Sequence, residues 1–350
     1  MNVLRTADSH CEWGEGDVQY TTRPRCRTLN LTIVRIDPEI VGKPAHPAEV
    51  MHSPHVDLSN ESGPHVRDAR TDVLPPRWHV LRSSPESGVT NMATDLALLS
   101  RAADSGVATW RCYSWRSPTV SFGRNEVTRG RFDAASLARA GLAAVRRPTG
   151  GRALLHAREV TYSAAFPLAA TVRWQDAYAA INTILRDALR EIGVHATIVG
   201  KSEAAPIAPN GPLCFDVPAP GELSVNGAKL VGSAVWRDRT AFLQHGSILL
   251  HDDQALLVDA MVSEESENGK PRDDVTQHRT SVAPPPAASL HDIFRRRGLP
   301  CPSASDVAGA LERALGTRAD TTPFVSDPAF ADAVARAHVT IDSETWLWRR

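Results

Sequence analysis

No apolar run in the 350 residues approaches the roughly 20 that a membrane-spanning helix needs. The first residues, MNVLRTADSHCEWGEGDVQY, hold no apolar stretch of the kind a secretory signal peptide requires. The expected compartment is the cytoplasm, and no membrane partner is expected. Neither charge is in excess: 39 Lys and Arg face 40 Asp and Glu. The basic surplus of a duplex-binding protein is missing, so nucleic acid is not an expected partner. Cysteine is sparse. Cys11, Cys26, Cys112, Cys214 and Cys301 are odd in number, widely spaced and free of any CxxC pair. That pattern argues against a disulfide framework and against a zinc site, and no metal is expected.

Residues 1–76 are poor in aromatics, with one Trp, one Tyr and no Phe, yet hold eight of the 25 prolines and five of the 13 histidines. Such a segment buries little apolar surface. It reads as a disordered or mis-started N-terminal extension. Its one alternating stretch, Thr28 to Val34, is isolated. Its histidines are irregularly spaced and lack paired acids, which favours a solvated tail over a metal site.

From Trp78 the pattern changes. Met92, Leu96, Leu99 and Ala103 fall at helical spacing, and residues 107–113, 118–122, 142–147 and 160–166 read as strands. Trp174, Tyr178, Ile181, Leu185, Leu189 and Ile192 share one helical face. Strand patterns recur at 194–199, 222–226, 229–236 and 239–250, and Asn226-Gly227 is a two-residue hairpin signal. Residues 263–289 read as a polar surface loop. A helical tail over 290–350 follows, with helices at 305–316, stopped by Gly316, and 327–339. Mixed, largely antiparallel strands with flanking helices predict an α+β domain over residues 77–350.

Three segments carry possible chemistry. In Arg146-Arg-Pro-Thr-Gly-Gly-Arg-Ala-Leu-Leu-His156 two glycines let the backbone approach a ligand, and three arginines crowd the turn. The segment suits a phosphate or a thioester oxygen; the plain alternative is a hairpin. It is neither a Walker A loop nor GxGxxG. Cys214, in Pro-Leu-Cys-Phe-Asp, lies shortly before the hairpin that carries Lys229. A nearby cation favours the reactive thiolate; the alternative is a packed thiol and a solvated lysine. Gln244-His-Gly-Ser247 interrupts a strong strand, marking a bulge at Gly246 or a ligand approach.

Taken in order, the segments resemble the biotin/lipoate protein ligase family, most closely its octanoyltransferases of the LipM type. The matching pieces are Asn91-Met-Ala-Thr-Asp95, Trp115 to Asn125, RRPTGGRALLH, Arg158 to Ser163, LCFD at 213–216, GAKLVGSA at 227–234, LQHGSILL, and the closing Trp346-Leu-Trp-Arg-Arg350. Arg152 stands where the ligase branch has a third glycine, and Ala157 where it has an acid after the histidine. Val235-Trp236 replaces the glutamine common after GSA.

The resemblance implies octanoyl transfer from octanoyl-acyl carrier protein to a lipoyl-domain lysine. The acceptor would be the glycine cleavage H protein or a 2-oxoacid dehydrogenase E2 domain. Cys214 would carry the acyl group as a thioester, with Lys229 favouring its thiolate and moving protons. Arg147, Gly150, Gly151, Arg152, His156, Ser233 and Trp115 are the implied substrate-binding residues. Gly150-Gly151 would hold the acyl carbonyl or the oxyanion. His156 would orient the turn, having no acidic neighbour. Trp115, Val120 and Phe122 are expected to wall the acyl slot. No cofactor is expected. The alternatives are a lipoate–protein ligase needing ATP and Mg²⁺, an amidotransferase between lipoyl domains, and a non-catalytic acyl-binding module.

Overall fold

Strand β1 (Arg77–Arg82) starts a mixed sheet whose order follows from which strands can bury both faces. The computed structural model describes residues 73–200, 214–215, 218–238, 240–261 and 287–349. The expected extension up to residue 72, Leu213 and Asp216 of LCFD, and most of the 263–289 loop lie outside the described residues.

Helix α1 (Gly88–Ser105) is capped by the Ser87 side chain, which accepts from Thr90 N–H, and ends at Gly106 with φ 68°. Strands β2 (Thr109–Tyr113), β6 (Glu159–Pro167) and β10 (Ala241–Leu249) hold only buried or nearly buried residues and form the sheet centre. Strands β7 (Thr197–Ile198), β8 (Leu223–Val225), β9 (Ala228–Arg237) and β11 (Asp320–Pro323) complete eight strands in the order β11-β1-β2-β6-β10-β9-β8-β7. β1 runs parallel to β2 and β11; the other pairings are antiparallel. The β8–β9 turn is Asn226-Gly227, with φ 51° and 79°, the two positive values this hairpin type demands.

A second sheet of three strands, β4 (Ala143–Arg146), β3 (Thr119–Phe122) and β5 (Leu154–His156), corrects the hairpin reading of the Gly-Gly segment. β4 and β5 flank β3 rather than pairing with each other. Residues 147–153 therefore cross over the end of β3.

On one face of the large sheet, α3 (Trp174–Glu191) and α6 (Ala304–Gly316) close over Trp78, Trp110, Tyr162, Phe166 and Phe242. The buried stripe of α3 is Ala177, Ile181, Ile184, Leu185, Ala188 and Leu189. Trp174, expected on that stripe, is 40% exposed. Helix α6 passes through Gly316 and is capped at Thr317, so Gly316 is not its stop. The opposite face carries α1, itself covered by α7 (Pro328–Ile341). Short helices α2 (Ala134–Arg139), α4 (Ala255–Asp259), α5 (Leu290–Arg296) and α8 (Glu344–Leu347) fill the periphery. Among the described residues no helix is long and apolar enough to cross a membrane.

Candidate active site

Directly opposed residues of antiparallel strands share a face, so Gly232, Ala234, His245 and Ser247 all look toward α1 and the small sheet. They line a narrow cavity together with Met92, Tyr113, Leu154, Arg147, His156, Ser233 and Cys214. One wall is apolar, from Met92, Tyr113 and Leu154, and the other is polar and titratable. Gly246 sits in an unbroken strand, not at a bulge. A side chain there would meet the Gly232 carbonyl at 2.3 Å and the Tyr162 ring at 2.9 Å, so close packing explains this glycine.

Cys214 is half-buried, and its N–H donates to Ala153 O at 3.2 Å. Lys229 lies opposite. Its ammonium donates to the Cys214 carbonyl at 2.6 Å, stands 3.7 Å from Sγ and reaches Glu222 Oε2 at 2.7 Å. Burial alone would push the Lys229 pKa down; Cys214 and the Glu222 carboxylate outweigh it and hold it above its ordinary value. Lys229 is thus a cation in a dry place, aimed at a sulfur.

Arg147 is also buried and holds the crossing segment. Its Nε donates to Gly150 O at 3.0 Å, Nη1 to Ser121 O and Oγ at 2.8 and 2.9 Å, and Nη2 to Arg152 O at 2.7 Å. Burial lowers its pKa. Glu126 stitches the same segment, accepting from Gly123 N–H at 3.0 Å and Ala153 N–H at 2.8 Å. Gly123 ends β3 under the crossing: a Cβ there would lie 1.9 Å from Gly151 O. Gly150, Gly151 and Arg152 are therefore tied to the cavity through Arg147 but do not line it.

His156 corrects the expectation that it lacks an acidic partner. Its Nδ1 is 2.7 Å from Glu159 Oε1, three residues on, and its Nε2 is 2.7 Å from Ser121 Oγ. Trp115 does not line the cavity. It stacks on the His156 ring at 3.8 Å between centroids and donates Nε1–H to Thr161 Oγ1 at 2.8 Å. Val120 and Phe122 pack on the far side of the small sheet with Phe132, Leu137 and Leu155, so they do not wall an acyl slot. The apolar wall of the cavity is formed instead by Met92, Tyr113 and Leu154. Ser233 lines the cavity and shares a hydrogen bond of 2.8 Å with the Tyr162 hydroxyl.

A second histidine–carboxylate pair was not anticipated. His245 Nδ1 is 2.9 Å from Asp95 Oδ2, and its Nε2 is 2.6 Å from Thr149 Oγ1, just before the glycines. Asp95 also accepts from Arg111 at 2.8 Å and from the Tyr113 hydroxyl at 2.9 Å. Burial opposes its charge, but Arg111 and the His245 hydrogen bond hold its pKa below the ordinary range. Burial lowers the His245 pKa, keeping the ring neutral. Nδ1 therefore carries the proton toward Asp95, and the Thr149 hydroxyl donates to Nε2. An aspartate among the buried residues of α1 was the available signal. Among the described residues no group of three or more His, Cys, Asp or Glu is placed to hold a metal ion.

The mixed eight-stranded sheet with its flanking helices is shared with lipoate ligases of known structure. Lipoate-protein ligase A bound with ATP matches with a TM-score of 0.60 at 18% identity, covering 78% of this chain and 98% of that one. The bipartite lipoate protein ligase of Thermoplasma acidophilum matches with 0.59 at 19%, covering 78% and 96%. At such identities the likeness is one of fold alone. Residues 87–296 match the lipoyl protein ligase A/B catalytic domain, and the chain belongs to that family. It is 31% identical over 286 residues to octanoyltransferase LipM of Exiguobacterium sp., covering 78% of this chain and 98% of that protein. It is 39% identical over 189 residues to octanoyltransferase LipM of Kyrpidia tusciae, covering 51% and 68%.

Proposed function

We propose that this chain is an octanoyltransferase of protein lipoylation, moving octanoyl from acyl carrier protein to the lysine of a lipoyl-domain protein through a Cys214 thioester. The observation that carries this reading is the Lys229 ammonium 3.7 Å from the Sγ of Cys214, a residue that lines the narrow cleft, in a chain similar to LipM along 286 residues. The glycine cleavage H protein or a 2-oxoacid dehydrogenase E2 domain is the proposed acceptor, and the cytoplasm the proposed compartment.

The Cys214 thiolate attacks the thioester carbonyl, and a tetrahedral oxyanion forms. The bond to the carrier's thiol breaks, and Lys229 hands that leaving thiolate a proton. The octanoyl group is then held as an enzyme thioester. A lipoyl-domain amine attacks the same carbon, the bond to Sγ breaks, and the amine's proton passes to Lys229. Cys214 and Lys229 end as they began. Arg147, bonded to the Gly150 and Arg152 carbonyls, fixes the crossing segment. Met92, Tyr113 and Leu154 receive the hydrocarbon tail. The donor thioester is already activated, so the reaction needs no ATP or other cofactor.

The test is the intact mass of the protein after mixing with octanoyl-acyl carrier protein, without ATP. One hydroxylamine-labile octanoyl increment, absent from Cys214→Ala, is the expected result. No increment, with lipoyl-domain modification only when ATP, Mg²⁺ and free lipoate are added, would assign a ligase instead.

A further inference from the structure

Two arginines lie against one indole ring outside the cleft. The Arg124 guanidinium lies 4.0 Å from the centre of the Trp236 ring and 5.5 Å from that of Trp346. Arg349 lies 4.8 Å from the same Trp346 ring. The two cations thus share one indole. Arg124 is half-buried, and Arg349 is exposed. Among the described residues no carboxylate pairs with either, although Glu126 stands two residues from Arg124. Its oxygens are occupied by Gly123 N–H, Ala153 N–H and Arg131. Burial, then the Arg349 charge, lowers the Arg124 pKa, as expected of a cation packed beside another without a counter-ion.

Their position is informative. Trp236 lies on β9, two residues beyond Ala234 and on the same face. Ala234 lines the cleft, so the indole stands about 7 Å along the strand from it. The Arg124 N–H bonds to Thr149 O at 2.8 Å, which fixes the arginine to the segment carrying Gly150 and Gly151. Trp346 is fixed too: its Nε1–H donates to Arg146 O at 2.8 Å. Trp346 is therefore a fixed platform, and among the described residues neither guanidinium has a hydrogen-bond partner. A planar guanidinium binds the paired oxygens of a phosphate in bidentate fashion, and two of them suit a phosphate group better than a single carboxylate.

We propose that Arg124 and Arg349 form a phosphate clamp beside the acyl cleft, and that its ligand is the phosphate of the phosphopantetheine arm that presents the acyl thioester. The choice of this arm over a nucleotide phosphate rests on the octanoyltransferase reading above; the clamp itself rests on the geometry. It acts on donor affinity, not on the bonds that change at Cys214.

Titration of the full chain with 4′-phosphopantetheine, pantetheine and ATP, followed by tryptophan fluorescence, tests it. Trp236 and Trp346 are the built-in reporters. The phosphorylated arm is expected to bind at least tenfold more tightly than pantetheine, with ATP weaker than the phosphorylated arm. The difference between the two arms is expected to vanish in R124Q and R349Q and to survive in part in R124K. R349Q alters an exposed side chain, so folding, checked by circular dichroism, is expected to hold. Equal binding of the two arms, or wild-type discrimination in both glutamine variants, would overturn the clamp. Tighter binding of ATP would overturn the assignment of its ligand. Acylation of Cys214 is measured separately with octanoyl-phosphopantetheine. Its failure would count against the transferase reading, while the binding titration alone decides the clamp.

Discussion

The Lys229 ammonium and the Glu222 carboxylate meet at 2.7 Å, both buried, directly behind the Cys214 sulfur. Glu222 has no place in the reacting bonds. It also accepts from Ala219 N–H at 2.7 Å, so its position is fixed by the backbone. Its role is to keep a desolvated lysine charged. Glu222→Gln removes that support and leaves burial unopposed except by Cys214. Losing one member of a buried pair costs about 3–5 kcal/mol, so the thermal midpoint at pH 8 is expected to fall clearly. The sign of the pH effect follows from the raised Lys229 pKa. Its contribution is complete below the unfolded value of about 10.5 and is lost as pH rises through the higher folded value. Wild-type melting should therefore steepen its decline above that pH, and the glutamine variant should not. Identical alkaline limbs would refute this role for Glu222.

On the acid side the relevant pair is Asp95 and His245. Burial lowers the His245 pKa from 6.5, so below that pH the unfolded chain binds a proton the folded chain refuses. Stability is complete above about pH 6.5 and is lost as pH falls toward the lower folded value. Asp95, whose pKa is lowered, adds a second loss that starts below the ordinary carboxylate value of 3.8. Urea midpoints from pH 7.5 to 4.5 should show the first loss in the wild type and not in His245→Gln. The same slope in both would sink the assignment. Arg111→Met, which strands the buried Asp95 charge, is expected to cost about 3–5 kcal/mol at pH 7 by the same measurement.

How much of this was readable in advance depends on distance along the chain. Local signals held: Asn226-Gly227 made the hairpin it advertises, and strands 107–113, 160–166 and 239–250 appear as β2, β6 and β10. β1 and β11 did not announce themselves, because β11 is four exposed residues ending in a proline and its pairing with β1 spans most of the domain. The Gly-Gly segment was found, but not its path over β3, which is a long-range fact. Cys214, Arg147, His156 and Ser233 line one cavity, and Lys229 stands beside it, 3.7 Å from the Cys214 sulfur. The Glu159 partner of His156 is hard to read because it lies three residues on, across the turn into β6, rather than directly after the histidine. Asp95 was overlooked because helical periodicity says which face is buried, not that a charge within it is neutralised by Arg111 from a strand.

The crossing over β3 makes opposite demands on two neighbouring glycines. At Gly123 an added methyl would run into backbone, 1.9 Å from Gly151 O and 2.7 Å from its carbon. Backbone cannot swing aside as a side chain can. Gly123→Ala is expected to destabilise by about 1–3 kcal/mol and to displace the segment that Arg147 holds, lowering the acylation rate of Cys214. At Gly150 a Cβ meets nothing within 4 Å. Gly150→Ala is expected to keep the wild-type melting temperature. Any loss of acylation in that variant then reports contact with substrate rather than damage to the fold. A melting temperature for Gly123→Ala equal to that of Gly150→Ala would contradict the crossing.

Cysteine reactivity separates the thiols without any substrate. Burial pushes the Cys112 pKa up to about 12. At pH 8 its thiolate is therefore roughly one part in ten thousand. Burial also raises the Cys301 pKa, and no cation partner offsets it. Cys214 is half-buried, with the Lys229 ammonium 3.7 Å from its sulfur. Brief iodoacetamide treatment at pH 8, followed by peptide mapping, should label Cys214 well ahead of Cys112 and Cys301. Lys229→Ala should clearly slow labelling of Cys214, because a nearby cation favours the thiolate, while leaving Cys301 unchanged. Prior incubation with octanoyl-acyl carrier protein should block Cys214 alone, and hydroxylamine should restore it. Faster labelling of Cys301 than of Cys214, or indifference of Cys214 to the loss of Lys229, would show that the ammonium does not favour the thiolate. The dyad would then be a packing contact rather than a catalytic one.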